Sequence, residues 1–472
     1  MSRPNIILIT SDQHRADCLG VAGHPCVATP HLDQLADSGI CFDQAHVDAP
    51  VCIPARTTLV TGIQSHRYGM CSYSEDYRVD RPRDRFLGAL LTRAGYQTEL
   101  IGKRHWHTDP AFRGGFENVT PLALLGEERR RHGRPYGTTG LGANEVHAGL
   151  SQYPPELQST DWLIDQSIAF LRHRRDPAQP FCLWVSLIDP HPPFIIHEPY
   201  YSMYDHDAIP EPVQADWADA ADAPIAFRFY REAFADHRMT AAQIRKARAV
   251  YYGMITNIDY QLGRLFGELL GQGLWDESCI VYSSDHGELL GDYGSFFKSR
   301  MLEAAARVPL IVKAPASWQT APGRRSDALV EWADLLPTFC SMAQADIPDD
   351  VSGTDLNPLL RDEVTSIRSH WHGQVDNQHA WRDAQYKYCY FADDGAELVF
   401  DLANDPLEQQ DLSGDAELTD RLRRQFIAHL QEEGHTHVDA EGRLRVVGSP
   451  LPQEAERMRL AQCKGLPAAR RP

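Results

Sequence analysis

Asn5-Ile6-Ile7-Leu8-Ile9-Thr10-Ser11-Asp12-Gln13-His14 carries the reading of the fold. Its apolar half is short, rich in β-branched side chains and without alternation, the pattern of a strand covered on both faces of a parallel sheet. A carboxylate, an amide and an imidazole follow it directly. Four more apolar runs share that first half, at 97–101, 181–187, 279–283 and 308–312. Three of these also end in polar clusters: Gly102-Lys103-Arg104-His105-Trp106-His107, Asp189-Pro190-His191-Pro192-Pro193 and Ser284-Asp285-His286-Gly287-Glu288. Open α/β sheets bind ligands at the carboxyl ends of their strands. Four strands therefore bring carboxylates, imidazoles and a lysine to one edge of one sheet.

Taken singly, each cluster is weak. An Asp after a strand is usually a helix cap, and a His beside Pro is most often a turn residue with a satisfied ring. Asp285-His286-Gly287 also reads as a β-turn into the next helix. Four clusters in equivalent places go beyond capping and mark a site. Oxygen and imidazole groups with no partner thiolate suit a hard divalent cation such as Ca2+, Mg2+ or Mn2+.

Helical patterns separate the runs, at 85–94, 162–171 and, longest, 240–270, where Thr240 is the N-cap and Ile244, Tyr251, Met254, Ile258, Leu262 and Leu265 form one stripe. This alternation predicts an α/β fold, a large doubly wound mixed, mostly parallel sheet with helices on both faces, over residues 1–368. The acidic, Ala/Pro-rich stretch 205–222 reads as a surface excursion. Past Ser369 the pattern changes. Tyr386–Phe391 and 397–402 read as a hairpin, and a helix over Ala416–Glu432 follows. Residues 369–448 are therefore expected as a small C-terminal α+β subdomain with a short antiparallel sheet, and 449–472 as a Pro/Arg-rich tail.

The chain has 472 residues, 43% hydrophobic and 24% charged, a balance that excludes wholesale disorder. Its 46 Lys plus Arg against 65 Asp plus Glu give a formal charge of −19. That argues against nucleic acid or an anionic membrane as partner, since both recruit clustered Lys and Arg. No run reaches the roughly 18 apolar residues of a membrane helix. The first residues lack a signal-peptide pattern. The ten cysteines are scattered without a C-x-x-C pair, which reads as reduced thiols in a cytoplasm.

One cysteine stands apart, in Pro50-Val51-Cys52-Ile53-Pro54-Ala55-Arg56-Thr57-Thr58-Leu59. Pro54 suits the first turn of a helix and puts Cys52 at its N-terminal end, where free backbone N–H groups lower a thiol pKa or stabilise an oxyanion. Arg56 lies about one turn on. A buried cysteine capping a core helix fits the same spacing, and the residues alone leave both readings open.

Cys52-Ile53-Pro54-Ala55-Arg56 matches the C-x-P-x-R signature, and on it the chain resembles the type I sulfatases of the alkaline phosphatase superfamily. The resemblance runs through nearly the whole chain. It takes in Pro4-Asn5-Ile6-Ile7 leading to Asp12, Thr29-Pro30-His31-Leu32-Asp33-Gln34-Leu35-Ala36, the clusters after three further strands, Phe297-Lys298, and Leu398-Val399-Phe400-Asp401-Leu402-Ala403-Asn404-Asp405-Pro406. It implies that a formylglycine-generating enzyme oxidises Cys52 to the aldehyde. It also implies one divalent cation, Ca2+ before Mn2+ or Mg2+, on Asp12, Gln13, Asp285 and His286. Gln13 stands where many sulfatases have a second aspartate, a loss of charge that weakens Ca2+ binding or admits Mn2+. By the same resemblance the hydrated aldehyde is a geminal diol, one hydroxyl of which attacks sulfur with the cation and Arg56 holding its charge. Lys103, His191 and Lys298 then surround the sulfate and leaving oxygens, and His105 takes the proton of the second hydroxyl so that sulfate leaves. His107, two residues on, is either a second candidate for that role or a residue of the substrate pocket.

The expected activity is hydrolysis of a sulfate monoester, whether aryl, small-alcohol or carbohydrate. A phosphonate monoester or phosphodiester hydrolase on the same scaffold is the alternative. Glutamine after the first aspartate and histidine after the second fit that branch or the choline sulfatases, and the branch generally lacks the Lys103 and His105 pair. An inactive protein that holds sulfated ligands is a third class, and the intact set of nucleophile, lysines and carboxylates speaks against it. Ser369-His370-Trp371-His372-Gly373 is polar and aromatic enough to touch a sugar or aryl group, and reads equally as a strand end. The tail is a candidate for exchange between subunits of a homo-oligomer, and reads equally as a disordered end.

Overall fold

The opening run is the strand Asn5–Ser11, and all seven of its residues are buried. It pairs in parallel with Ser278–Ser284 on one side and Phe181–Ser186 on the other, with Ile7 opposite Ile280 and Leu183. Ile6 and Leu8 pack on one face with Leu59, Trp184 and Phe339, while Ile7 and Ile9 pack on the other with Leu163, Ile258 and Leu262. Successive side chains point to opposite faces of a sheet, so only an unbroken apolar run fills both. The computed structural model describes residues 3–74, 78–106, 109, 111–133, 144–234 and 239–448. The tail expected at 449–472 lies outside the described residues, and so does His107.

The central sheet has eight strands, in spatial order Arg324–Glu331, Ile40–His46, Leu310–Lys313, Ser278–Ser284, Asn5–Ser11, Phe181–Ser186, Gln97–Gly102 and Asn118–Pro121. One expectation is corrected. Leu310–Lys313 is buried as the run at 308–312 requires, but it lies antiparallel to both neighbours. The intervening stretch starts and ends at the same sheet edge, so the next strand has to run back. Burial on both faces carries no information about direction. Sequence reading also passed over Ile40–His46, Arg324–Glu331 and Asn118–Pro121, whose polar residues break the apolar pattern.

The long helix is Ala241–Gly271, with a reciprocal cap: Thr240 Oγ1 accepts from Gln243 N at 3.3 Å, and Gln243 Oε1 accepts from Thr240 N at 2.8 Å. Among the described residues no helix is long and apolar enough to cross a membrane. The excursion at 205–222 is not wholly on the surface. Trp217 is buried against Phe227, Tyr293 and Phe400, and its Nε1 donates to Glu408 O at 2.8 Å.

The expected hairpin is half of a four-stranded antiparallel sheet, Trp371–Val375, Gln378–Arg382, Tyr386–Phe391 and Ala396–Asp401. Helix Ala416–Glu432 covers one face of it through Leu422, Phe426 and Leu430. Trp371 and His372 are buried inside the first strand, so the Ser369 to Gly373 segment takes the strand reading. A buried ion cluster joins the two sheets. Lys387 Nζ lies 3.0 Å from Glu303 Oε1 and 2.8 Å from Glu408 Oε1, and Glu303 Oε2 also meets His46 Nε2 at 3.0 Å and Arg382 Nη1 at 3.3 Å.

Candidate active site

The strand ends are stitched to one another before any side chain is placed. Asp12 N donates to Asp189 O at 3.3 Å, Lys103 N to Ser186 O at 2.9 Å and Asp285 N to Ser11 O at 3.4 Å. Two glycines permit this closeness. A Cβ on Gly102, whose φ is +117°, would sit 2.0 Å from Ser186 O, and one on Gly287 would sit 2.0 Å from Ala304 O. Trp106 stacks on Trp184 at 5.2 Å and anchors the segment that carries Lys103 and His105. Gln13 (φ 72°) and His105 (φ 56°) both hold left-handed backbone, costly for residues with a Cβ.

Cys52 opens the helix Cys52–Thr61, all ten residues of which are buried, with Val51 extended before it. Its Sγ lies 3.3 Å from His286 Nε2 and 3.9 Å from Asp12 Oδ1. One turn on, Arg56 Nε donates to Asp285 Oδ2 at 2.7 Å and Nη1 to Ser186 Oγ at 2.7 Å. Arg56 Nη2 has no hydrogen-bond partner among the described residues and lies 3.6 Å from Asp12 Oδ2. Lys103 Nζ pairs with the same Oδ2. Lys298 Nζ donates to Gln13 Oε1 at 2.6 Å and meets His191 Nε2 at 2.9 Å. His105 and His191 lie beside the Cys52 side chain. The ten residues given metal or catalytic roles by the resemblance thus form one connected cluster that includes the Cys52 thiol, with Gln13 joined to it through Lys298 and Asp285.

The electrostatics follow from that crowding. Burial would raise the Cys52 thiol, but Lys103, Lys298, His286 and His105 outweigh it and hold the group well below its ordinary value. Burial and Cys52 push Asp12 up, and Lys103, His191 and Arg56 outweigh both, so its carboxyl lies well below the usual range. Burial lowers His191, and neighbouring Lys298 lowers it further. His286 goes the other way, because Asp285 and Cys52 overcome the cost of burying its charge.

Two residues that the sequence reading quoted do other work. Asp189 accepts from Ser159 Oγ, at 2.9 Å, and from Thr160 Oγ1, both in the first turn of the helix Ser159–Ala169. His14 turns away from the site: its Nε2 meets Cys18 O at 3.0 Å and its Nδ1 meets Tyr282 Oη at 2.7 Å. Burial lowers its pKa to about 4. A depressed histidine stabilises the fold above the unfolded value of 6.5, and that stability is lost as pH falls to about 4, worth roughly 3 kcal/mol. Unfolding midpoints in denaturant across this window should fall less steeply for His14→Gln than for the wild type.

Two residues were missed. Glu288 Oε2 takes Gln13 Nε2, and its Oε1 accepts from Leu290 N at 2.8 Å and from Phe297 N, so one buried carboxylate fixes Gln13 and the Lys298 loop together. Ser186 orients Arg56. The sequence signal for Glu288 was its place two residues after His286; Ser186 gave none.

Asp12, Cys52, Asp285 and His286 offer ligand atoms all within 4.8 Å of one another, and all four are buried. Two adjacent buried carboxylates with an imidazole fit a divalent cation. Gln13 Oε1 belongs to Lys298 in this arrangement, while Gln13 N donates to Asp285 Oδ1 at 3.2 Å.

The family model described as Sulfatase matches residues 4–345. The chain belongs to the sulfatase family. It is a sulfuric ester hydrolase on the type I scaffold of the alkaline phosphatase superfamily. A second model, N-sulphoglucosamine sulphohydrolase, C-terminal, matches residues 291–435. This sulfatase is similar to an arylsulfatase of Clostridium perfringens (strain 13 / Type A), 31% identical, with 92% of this chain and 96% of that one covered. It is 25% identical to an N-acetylglucosamine-6-O-sulfatase of Bacteroides thetaiotaomicron over 93% of this chain and 87% of that one. Among solved structures, the phosphonate monoester hydrolase of Agrobacterium radiobacter superimposes with a TM-score of 0.79 at 26% identity, covering 94% of this chain and 97% of that one.

Proposed function

We propose that this sulfatase cleaves sulfate monoesters, aryl, small-alcohol or carbohydrate, with a formylglycine made from Cys52 by a formylglycine-generating enzyme. Residues 1–368 form the catalytic domain in this reading, with 369–448 as the smaller unit packed on it. One divalent cation, Ca2+ first, is held by Asp12, Asp285 and His286, with Gln13 as the weakest ligand. When bound, the cation supplies Lewis acidity toward the attacking and sulfate oxygens. Hydrated formylglycine supplies one hydroxyl to attack sulfur and a second through which sulfate is released.

The chain's own side chains do the rest. Arg56 aims its unsatisfied Nη2 at the space beside Asp12, where negative charge collects. Lys103 and Lys298 neutralise sulfate oxygens from two sides. His191, held on Lys298 and next to Cys52, faces the leaving oxygen. His105, also on Cys52, takes the proton that lets sulfate go. The observation that carries the reading is Lys103 paired with Asp12, whose carboxylate also lies beside Cys52, on the same segment as His105, the pair that the phosphonate and diester branch generally lacks.

The test is kcat/KM for one aryl leaving group carried as sulfate monoester, phosphonate monoester and phosphate diester, with the aldehyde at residue 52 verified by mass spectrometry. Sulfate preference is expected. Preference for phosphonate would promote the alternative that Gln13, His286 and the structural similarity to a phosphonate monoester hydrolase favour. Chelation should abolish turnover, and Ca2+ should restore more of it than Mn2+ or Mg2+. Restoration by Mn2+ alone would overturn the choice of cation.

A further inference from the structure

Six of the 21 histidines, His66, His372, His379, His429, His435 and His437, gather in the small sheet and its edge, and the catalytic assignment uses none of them. His379 lies on the strand Gln378–Arg382, and His435 and His437 follow the helix Ala416–Glu432. These three offer ring nitrogens all within 4.8 Å of one another. His379 Nε2 faces His437 Nδ1 at 2.7 Å, and the His435 ring centroid is 5.1 Å from each of the other two. Behind them His379 Nδ1 faces His372 Nε2 at 3.1 Å. His372 is buried, and its Nδ1 has no hydrogen-bond partner among the described residues. In front, His435 and His437 border an open cleft of about 370 Å3 that His66, Gln374 and Asp376 also line.

We propose that His379, His435 and His437 bind one Zn2+-class divalent ion, separate from the catalytic cation, that pins the segment after the last helix onto the small sheet. Three imidazoles without a carboxylate select a borderline ion such as Zn2+ or Co2+ over Ca2+ or Mg2+, which take oxygen ligands. A histidine that ligates through Nε2 gives its Nδ1–H to a neighbour, and His372 Nε2, 3.1 Å from His379 Nδ1, is placed to accept it. The cleft leaves the fourth position to water. Metal–nitrogen bonds of about 2.0–2.1 Å require the facing nitrogens to open to about 3.3 Å. His437 is only partly buried, on a loop that can make that move. His435 exchanges one bond for the ion, since its Nε2 meets Gln374 Oε1 at 2.8 Å and its Nδ1 accepts from His437 N at 3.1 Å. Burial and mutual proximity also keep His379 and His435 below the ordinary histidine pKa, leaving their rings unprotonated near neutrality.

The segment to be pinned already rests on the small sheet, with Val438 and Leu444 packed on its core. Tyr390 Oη donates to Arg445 O at 2.9 Å and Val447 N to Ala392 O at 2.7 Å. Chelator-stripped protein reloaded with Ca2+ is titrated with Zn2+ alone, and separately with Co2+ alone. The wild type and the catalytic-site variant Asp285→Ala should each bind one equivalent of Zn2+ that His435→Ala/His437→Ala lacks. Co2+ should give the intense visible bands of a four-coordinate nitrogen site in the wild type and in Asp285→Ala, and not in the double variant. Zn2+ should raise the unfolding midpoint of the wild type and leave that of the double variant unmoved. His437→Gln, a milder change, should keep the native circular dichroism spectrum and lose the Zn2+ equivalent. Equal Zn2+ stoichiometry in the wild type and the double variant would overturn the site, as would a Co2+ spectrum that the substitutions do not alter.

Discussion

Cys52→Ala should lower kcat toward an aryl sulfate on the order of 10^6-fold, the loss seen when the nucleophile is removed from a set of residues that act as a unit. The side chain is small and buried at the start of a helix whose packing it does not dominate, so the unfolding midpoint should move little. Cys52→Ser separates two steps that alanine removes together. Serine keeps one hydroxyl among Arg56, Lys103 and His286 and should still attack sulfur. It lacks the second hydroxyl from which His105 takes a proton, so the enzyme should release one equivalent of phenol and stop. Mass spectrometry of the peptide containing residue 52 should then find a sulfo group retained. Steady turnover by the serine variant at a rate near wild type would sink the formylglycine reading.

The centre of the fold was legible because burial on both faces leaves a strong mark. Asn5–Ser11, Phe181–Ser186 and Ser278–Ser284 have almost no polar residue until the strand ends. The helix Ala416–Glu432 was legible as well, and the structure adds its cap, Asp415, whose side chain accepts from Leu418 N. Strand direction was not, because Leu310–Lys313 would show the same pattern in either orientation. The outer strands were hidden by their half-exposed polar residues, as Asp43 and Gln44 show inside Ile40–His46.

The site divides in the same way. The clusters after four strands were legible because the strand ends repeat the same kind of chemistry, and Cys52, Arg56 and Lys298 were singled out through the family resemblance. Residues that act through a contact were not. Glu288 matters because Gln13 and the Phe297 backbone come to it, and Ser186 because Arg56 does, facts that arise only when the strands are side by side. Asp189 warns against equating position with function. It ends a strand as Asp12 does, yet its carboxylate serves a helix start. The histidines of the small sheet stayed scattered in the sequence, since His379 and His437 belong to different elements that only the folded chain brings to 2.7 Å.

Lys387→Met should cost about 3–5 kcal/mol of stability, because it strips the cation from a buried site and leaves charge behind. Lys387 is wholly buried between Glu303 and Glu408. Glu303 keeps His46 and Arg382 when the lysine goes. Glu408 has no comparable reserve: burial raises its pKa, Lys387 is the largest influence lowering it, and Glu303 raises it further. In the variant Glu408 should therefore take up a proton, and the penalty should shrink as pH falls through its raised value. Lys387→Met/Glu408→Gln removes the stranded charge while preserving its shape, and should recover part of the loss. The cluster also underlies the catalytic loop. Glu408 Oε2 accepts from Glu303 N at 2.7 Å, and Glu303 begins the short helix that follows Lys298. Turnover of the lysine variant should accordingly decline at temperatures where the wild type is unaffected. Denaturant midpoints of the three proteins at two pH values decide the matter: a loss under 1 kcal/mol, or none recovered by the double substitution, would mean that water or a local shift satisfies Glu408 without Lys387.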